Sequence, residues 1–524
     1  MEVEKTGRPD GHFVNGVTDP KLDVEEQGVD SVKEQSDVVN GDGEIIYIHG
    51  PRFWFISAAL AIMMFLTNLE VPVVITALVA ITDDLSGFEN VGWIVASYLL
   101  GYVAVIVICA KFSDIFGRKL VFLLSTVIFV IFSAACSASQ TMAQLIIFRA
   151  FQGVGGGGCW SLSTIIIVDL VPPEKYPKFV VPIAAPAFLI AIFAIPKGFP
   201  YHNQPNYRQA SNKSLMGRAT LSRIDIPGTI LILFATLALT SAFEEADKRF
   251  PWRSAYVIVL LILSGLFWIL LGVWERHVTS SNGVREPILP WRFIKNRQMM
   301  GILLNFVLLG GPTVICMFIM PQRFQLVYGT SGLDAGVRLI PFTVVIPVSS
   351  IFASGIAGKL KVPPLYLLIV GSCFQVLGFA LLGTLPSTLT IPPRIYGFEI
   401  LAGWGCGINF ALLFIMIPWV NEKPDHAVAM GAGSQFRMMG GSIVLAIATS
   451  VFNTFARPKL QTLLGTSDTD TLVTFLPTLS QELQEQVRYV LAEGYNRQAL
   501  VLCVSAALQV PASLLMWKKK QLRI

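Results

Sequence analysis

The stretch RAFQGVGGGG, residues 149–158, combines one arginine with five glycines. Glycines at such spacing are typical of a dinucleotide-binding loop, which must follow a strand and open a helix so that its N–H groups face the pyrophosphate. Here the flanking sequences are MAQLIIF and CWSLSTIIIVDL, and the whole segment is apolar and of helix length. The stretch therefore predicts a helix in lipid rather than a phosphate-binding loop.

The composition extends this prediction to the whole chain. Of 524 residues, 53% are hydrophobic and only 14% are charged, whereas a soluble domain carries about 25% charged residues. About 20 apolar residues cross the hydrocarbon core of a bilayer. Thirteen candidate spans, and hence an all-α polytopic membrane protein, are predicted at 53–81, 92–110, 119–138, 143–169, 179–195, 226–243, 255–274, 299–320, 335–356, 364–385, 395–418, 428–453 and 498–517.

The polar residues exclude several function classes. Residues 1–50 hold twelve acidic and four basic side chains without an apolar run, which is typical of a disordered tail. The seven cysteines have no metal-ligand spacing, and the five histidines lie in tails or loops, so we expect no metal, no cofactor and no membrane redox enzyme. The basic excess lies in loops, where it is an orientation signal and not a nucleic-acid footprint.

Loop charges predict the orientation of the chain. The segments 111–119, 276–297 and 518–523 are basic, which places them and both termini in the cytosol. The segments 172–178 and 197–225 are also basic, yet the 17 residues between them reach only about 25 Å, enough for one crossing. One crossing cannot join two cytosolic loops. We therefore predict that about one helix with its return turn is missing around 178–195.

The loop AKFSDIFGRK, residues 110–119, resembles the loop signature of the major facilitator superfamily, Gly-x-x-x-Asp-x-x-Gly-Arg-Lys, with Ala110 at the first glycine. In that family the loop latches the inner gate. Asp114 and Arg118 have the spacing of a helical ion pair. An ordinary cytosolic loop is the alternative. The residues carried over as a gating motif are Lys111, Asp114, Gly117, Arg118 and Lys119.

RAFQGVGGGG resembles the fourth-helix signature of the same superfamily, in which the arginine is implicated in proton coupling. Arg149 lies inside a span, where a charge costs about 2.5–3.5 kcal/mol unless it faces a cavity or a partner. A snorkelling structural arginine is the alternative. Small residues permit close helix packing, which is the role expected for Gly153, Gly155 and Gly157.

Further segments resemble the fourteen-span drug:proton antiporter branch. NLEVPVVITAL (68–78) is similar to its first-helix motif, with Glu70 where aspartate is common, so the resemblance assigns Glu70 to proton coupling. RIDIPG (223–228), GVRLIPF (336–342) and 427–453 are similar to fungal members, which are toxin and multidrug efflux pumps. The Gly-Pro-Gly-Gly motif of the fifth helix is absent between 172 and 200, the region that loop charge marks as shortened.

The resemblance implies a major facilitator fold of two six-helix halves and two accessory helices. The expected organisation is a cytosolic tail (1–50), an incomplete N-terminal half (51–196), a cytosolic loop (197–225), two accessory helices (226–275), a cytosolic loop (276–298), a C-terminal half (299–517) and a basic tail (518–524). Residues 479–498 have apolar side chains at helical spacing, which predicts a separate amphipathic helix that lies on the surface in the extracytoplasmic loop and has a packing role.

Polar and aromatic residues inside the spans are candidates for a substrate cavity. They are Gln152, Glu399, Trp404, Asn409, Gln435 and Arg437. An interfacial acid remains the alternative for Glu399, and helix packing remains one for Trp404, Asn409 and Gln435.

The sequence thus predicts a transporter, not an enzyme. We expect proton-coupled efflux of hydrophobic small molecules from a monomer in the plasma membrane, with the lipid bilayer, the substrate and protons as partners. One alternative is a siderophore or other small-molecule carrier of the same fold. The other is a transport-inactive remnant, because the helix with the antiporter motif is absent.

Overall fold

The computed structural model describes residues 55–64, 91–170, 222–247, 250–281, 285–464 and 479–519, with single positions at 66, 67, 70, 74, 81, 85 and 521. Within these ranges the chain forms helices and no strand, and ten helices are long and apolar enough to cross a membrane. The predicted all-α membrane class is therefore confirmed. The tail 1–50, most of the loop 197–225 and the predicted loss of a helix around 178–195 lie outside the described residues.

Among the described residues, the N-terminal part comprises the helices α1 (Phe55–Met64), α2 (Val91–Phe116), α3 (Arg118–Ser137) and α4 (Met142–Leu170). Helix α4 packs against both α2 and α3. A single residue, Gly117, separates α2 from α3, and its φ of 93° lies in the region that favours glycine. The chain therefore changes direction at the glycine of the predicted gating motif.

The next two helices, α5 (Ile226–Glu245) and α6 (Ala255–Ser280), form an antiparallel accessory pair. The RIDIPG sequence starts α5 because the Asp225 carboxylate accepts a hydrogen bond from Gly228 N–H at 3.2 Å, while Pro227 fits the first turn, where an N–H is not needed. Asp225 also accepts a hydrogen bond from Trp274 Nε1 at 2.8 Å, which fixes the two helices together. Much of the apolar surface of α6 is exposed and is available to lipid.

The remaining helices are α7 (Trp291–Lys295), α8 (Arg297–Leu326), α9 (Gly332–Lys359), α10 (Pro364–Gly383), α11 (Arg394–Val420), α12 (His426–Leu464) and α13 (Gln481–Leu514). Helices α8 to α13 match the six predicted C-terminal spans to within a few residues, apart from the longer ends of α12 and α13. Helix α8 contains a π-helical turn over Gly311–Ile315, at the position where Pro312 removes a backbone donor.

The prediction of a separate amphipathic helix at 479–498 is wrong. These residues continue without a break into the last span and form the first half of α13. Val487 and Leu491 are fully buried, in a cluster that also contains Phe452 of α12. The helical period and the packing role are confirmed, because the apolar face packs against neighbouring helices, but the residues belong to the last span and not to a helix of their own.

Candidate functional site

A polar cluster forms where α2 and α4 meet the segment that carries Glu70. Arg149 Nη1 donates hydrogen bonds to Glu70 Oε1 at 2.6 Å and to Gln152 Oε1 at 2.8 Å. Gln152 Nε2 donates to the same Glu70 oxygen at 2.9 Å. The Tyr98 ring lies under the guanidinium, 4.6 Å from its central carbon. These four residues are called the Arg149 cluster below.

In the Arg149 cluster, the buried positive charge of Arg149 is compensated by the negative charge of Glu70. Arg149 is 1% exposed, and its Nε donates to Ile94 O at 3.1 Å, while Nη2 has no partner among the described residues. Glu70 is 23% exposed and supplies the opposite charge. Because a carboxylate can bind a proton and a guanidinium cannot release one, only the Glu70 side of this pair can be neutralised.

The helix sequence explains how α4 reaches these partners. A Cβ on Gly153 would lie 2.1 Å from Tyr98 O, and a Cβ on Gly157 would lie 2.2 Å from Tyr102 O. On another face, a Cβ on Gly155 would lie 2.4 Å from Phe129 N of α3. The glycines therefore allow backbone contact between α4 and its neighbours. Tyr98 had no signal in the sequence, because an aromatic residue in a span is most often core.

The gating motif forms a second charged group at the predicted cytosolic ends of α2 to α4. Arg118 Nη1 lies 2.5 Å from Asp114 Oδ1, and Arg118 Nε lies 2.9 Å from Asp169 Oδ2. Lys111 is buried and its Nζ lies 2.7 Å from Glu286 Oε2. Lys119 is half-buried at the start of α3. Sequence analysis missed Asp169 and Glu286, although an acid closing the apolar run of α4 was a usable signal.

Two of the candidate cavity residues lie between the N-terminal and C-terminal helices. Gln435 Oε1 of α12 accepts a hydrogen bond from Val107 N–H of α2 at 3.1 Å. The Arg437 guanidinium carbon lies 5.9 Å from the centre of the Trp160 ring of α4 and 5.4 Å from that of Phe410 of α11. Arg437 is buried and has no acidic partner in the described part of the chain. Aromatic faces therefore hold this cation.

The other candidates lie within the C-terminal helices. Asn409 Nδ2 donates to Ser372 Oγ at 2.9 Å and to Gln509 Oε1 at 2.7 Å, so its amide joins α10, α11 and α13. The Trp404 ring lies 5.7 Å from that of Phe352. The structure thus does not bring these two to the Arg149 cluster or to Arg437.

Glu399 is fully buried in α11, and neither carboxylate oxygen has a hydrogen-bond partner among the described residues. No part of the Glu399 side chain reaches the surface of the protein. Among the described residues, no three histidine, cysteine, aspartate or glutamate side chains form a group able to hold a metal.

Comparison with known proteins gives consistent matches. A family model described as Major Facilitator Superfamily matches residues 55–199. The chain is 35% identical over 500 residues to the MFS-type transporter FPY5 of Fusarium mangiferae, covering 88% of this chain and 83% of that protein. It is 27% identical to the MFS-type efflux pump LUC4 of a Fusarium species, covering 81% of this chain and 78% of the relative.

Among solved structures, the chain is similar to a bacterial homolog of the human lysosomal transporter Spinster in an inward-facing, unoccupied conformation. The TM-score is 0.51 at 13% sequence identity, covering 90% of this chain and all of that one. At this identity the likeness concerns the fold alone.

Proposed function

We propose a transport cycle for this chain from one premise: the chain belongs to the Major Facilitator Superfamily. It is a multi-pass membrane protein that transports small molecules, and it is not an enzyme. Our specific proposal for this chain is proton-coupled export of hydrophobic small molecules from the cytosol by alternating access. The observation that carries it is the buried ion pair between Arg149 and Glu70.

The Arg149 cluster provides the proton site in this proposal. With Glu70 ionised, Arg149 and Gln152 hold its carboxylate in place. When Glu70 binds a proton, the attraction falls and Arg149 keeps a charge that needs another partner in a medium of low dielectric constant. The conformation that supplies such a partner, or water, is then favoured. One proton therefore changes the balance between two conformations.

The gating motif and the contact between α2 and α12 form the cytosolic gate. Arg118 connects Asp114 of α2 to Asp169 of α4, so the three helix ends move as one body. A Cβ added at Gly431 of α12 would lie 2.7 Å from Ala110 Cβ, which indicates close contact at this end of the bundle. Rocking of 53–195 against 299–517, with 226–274 alongside, opens this contact.

The substrate site proposed here lies around Arg437, between the two sets of helices. Its neighbours Trp160 and Phe410 are aromatic, and Met438 and Met439 follow in sequence. Aromatic and methionine side chains adapt to differently shaped apolar compounds. The relative LUC4 is known as an efflux pump, which favours export over uptake. We place the exporter as a monomer in the plasma membrane, with both termini in the cytosol.

Inside-out vesicles with an imposed pH gradient, acid inside, test this function. A lipophilic fluorescent dye should accumulate in vesicles that hold the chain, and collapsing the gradient should stop it. Glu70→Gln should abolish gradient-driven accumulation, because the amide cannot take up a proton. The matched control is Glu493→Gln, which removes an acid that pairs with Arg497 within one helix.

The outcomes separate the rival functions. Dye movement that is independent of the gradient and stops when the concentrations on the two sides are equal would identify a facilitator or carrier and would contradict proton coupling. A folded wild-type chain that moves no dye and no siderophore would identify a transport-inactive remnant, the reading favoured by the short segment 179–195.

A further inference from the structure

The segment from residue 285 to residue 296, called the strap below, joins the accessory pair to α8 and contains α7. Its first end contacts the gating motif. Glu286 Oε2 lies 2.7 Å from Lys111 Nζ of α2, and Glu286 Oε1 accepts a hydrogen bond from Arg223 Nε at 2.7 Å. Lys111 is 5% exposed, so Glu286 provides the countercharge of a buried cation.

The strap is fixed to the accessory pair immediately after this contact. Glu275 Oε1 of α6 accepts hydrogen bonds from the backbone N–H groups of Ile288 and Leu289, both at 3.1 Å. Glu286 N–H in turn donates to Arg223 O at 3.0 Å. The first end of the strap therefore has little freedom relative to α5 and α6.

The second end contacts the turn between α11 and α12. Arg292 Nη2 donates to Asp425 Oδ1 at 2.8 Å, and Arg292 Nη1 donates to Glu422 Oε2 at 3.2 Å. Asn296 Nδ2 donates to Val420 O at 3.1 Å. Asp425 is 5% exposed, so this end also holds a buried charge.

We infer that the strap ties the gating motif of α2 to the turn that starts α12 and holds the cytosolic gate closed, with Glu286 and Arg292 as its positioning residues. This role rests on the proposed alternating-access function. The strap bridges the same two helices that meet at the hydrogen bond from Val107 to Gln435. Because α2 and α12 separate when the gate opens, one of the two ion-paired ends of the strap has to release first.

The charges at the first end persist at cytosolic pH. Burial of Glu286 acts to raise its pKa, but hydrogen bonds and positive charges from Lys111 and Arg223 outweigh this and hold the pKa below its usual value. A lowered acid pKa means that the bridge is fully present above the ordinary glutamate range and is lost only as the pH falls below it. The ion pair at the first end of the strap is therefore present at cytosolic pH.

A cysteine reporter tests the strap without any transported substrate. Val107 is fully buried at the gate, so Val107→Cys, in a chain whose seven native cysteines are replaced, reports gate opening. The measured quantity is the rate of its modification by N-ethylmaleimide, which crosses membranes. The variants are Glu286→Gln, Arg292→Gln, their double mutant and the control Glu493→Gln, whose ion pair lies within α13.

Each strap variant should raise the modification rate about three- to tenfold, since loss of one ion pair shifts the closed–open equilibrium by a modest factor. The double mutant should react about as fast as the faster single mutant, because a strap works only with both ends attached. The control should stay within about twofold of the parent. Rates that multiply in the double mutant, or that stay unchanged in both single mutants, would overturn the strap.

Thermal unfolding in detergent checks that each variant is folded. If Glu286→Gln does not fold, Glu286→Asp replaces it, because it keeps the charge but shortens the side chain by one methylene. A smaller rate increase in Glu286→Asp supports the strap, and an unchanged rate contradicts it. Failure of dye transport with the expected cysteine rates would instead contradict the proposed function and leave the strap in place.

Discussion

The N-terminal and C-terminal helices bury charge in different ways. Arg149 of α4 is ion-paired with Glu70, whereas Arg437 of α12 lies between two aromatic rings. Arg323 of α8 donates to the Asn496 amide at 2.8 Å, and its Nε and Nη2 have no partner among the described residues. A carboxylate that pairs with arginine can be neutralised by a proton, but an aromatic ring or an amide cannot. From this comparison we predict that proton sensitivity lies in the N-terminal helices.

Neutral amides replace ion pairs in the C-terminal core. Gln375 and Gln509 bond to each other through both amides, at 2.9 and 3.3 Å, and Asn409 adds a third amide. A network of this kind links α10, α11 and α13 without placing net charge in the interior. We expect this network to stabilise the fold, whereas the Arg149 cluster is the proposed proton site. Variants of the two groups should therefore differ in their effects.

The largest effect is expected from Arg149→Ala. The variant leaves Glu70 partly buried without its cation, and removing one partner of a buried pair costs about 3–5 kcal/mol. Since about 1.4 kcal/mol is tenfold in rate, gradient-driven dye export should fall by a factor of about 100 or more. The measurement is accumulation in inside-out vesicles, normalised to the amount of protein in the membrane.

Arg338→Ala is the control, because it removes an arginine whose partners, Asp334 of α9 and Tyr396 of α11, do not belong to the Arg149 cluster. Normal export by both Arg149→Ala and Arg149→Lys would show that Arg149 is a structural arginine.

A smaller effect is expected from Asp114→Asn. Arg118 keeps Asp169 as a partner, so the protein should remain folded while the link from α2 to α4 weakens. Export should fall about tenfold, in the range of one partly buried charge pair. Asp334→Asn makes the same change in an i,i+4 pair with Arg338 and should not alter export. Unchanged export by Asp114→Asn would remove the gating role assigned to the motif.

Local patterns in the sequence predicted most of the fold. Hydropathy located the spans because lipid imposes a minimum length on them, and RIDIPG marked the start of α5 through a capping aspartate. Helical spacing predicted the pairing of Asp114 with Arg118, although the two residues lie in different helices on either side of Gly117. The start of the last helix was not predicted. Packing of Val487 and Leu491 against neighbouring helices extends α13 beyond the apolar run.

Contacts between distant segments were harder to predict. Glu286 lies in a loop 175 residues after Lys111, and no local pattern connects a loop acid to a helix lysine. The sequence predicts both Asn409 and Arg437 as cavity residues. Asn409 bonds to amides within the C-terminal core, whereas Arg437 lies beside aromatic rings. Residue type and depth in a span identify a buried polar group, but its partner depends on which helix faces pack together.

Gln509→Leu tests the amide network and should act on stability. Removing this amide leaves the buried Gln375 Oε1 without its donor and takes one of two acceptors from Asn409, which keeps its bond to Ser372. An unsatisfied buried polar atom costs about 1–3 kcal/mol. The unfolding temperature in detergent should fall, while the pH dependence of dye export in vesicles should not change. Leu502→Ala, in the same helix, is the control for a plain packing loss. A shifted pH dependence in Gln509→Leu would show that the network takes part in coupling.

The smallest effect is expected from Glu399→Gln, which directly tests the difference between the buried acids of the N-terminal and C-terminal helices. Glu399 and Glu70 are both acids inside predicted spans, but nothing among the described residues hydrogen-bonds to the Glu399 carboxylate, whereas Glu70 meets Arg149 and Gln152. A buried carboxyl group without a cation or donors gains little from being charged. The neutral, equally sized amide should therefore leave export and its pH dependence within about twofold of the wild type. Glu70→Gln in the same vesicles should abolish gradient-driven export. Equal losses in the two variants would show that the C-terminal helices also carry a coupling proton, and the proposed division between the two regions would fail.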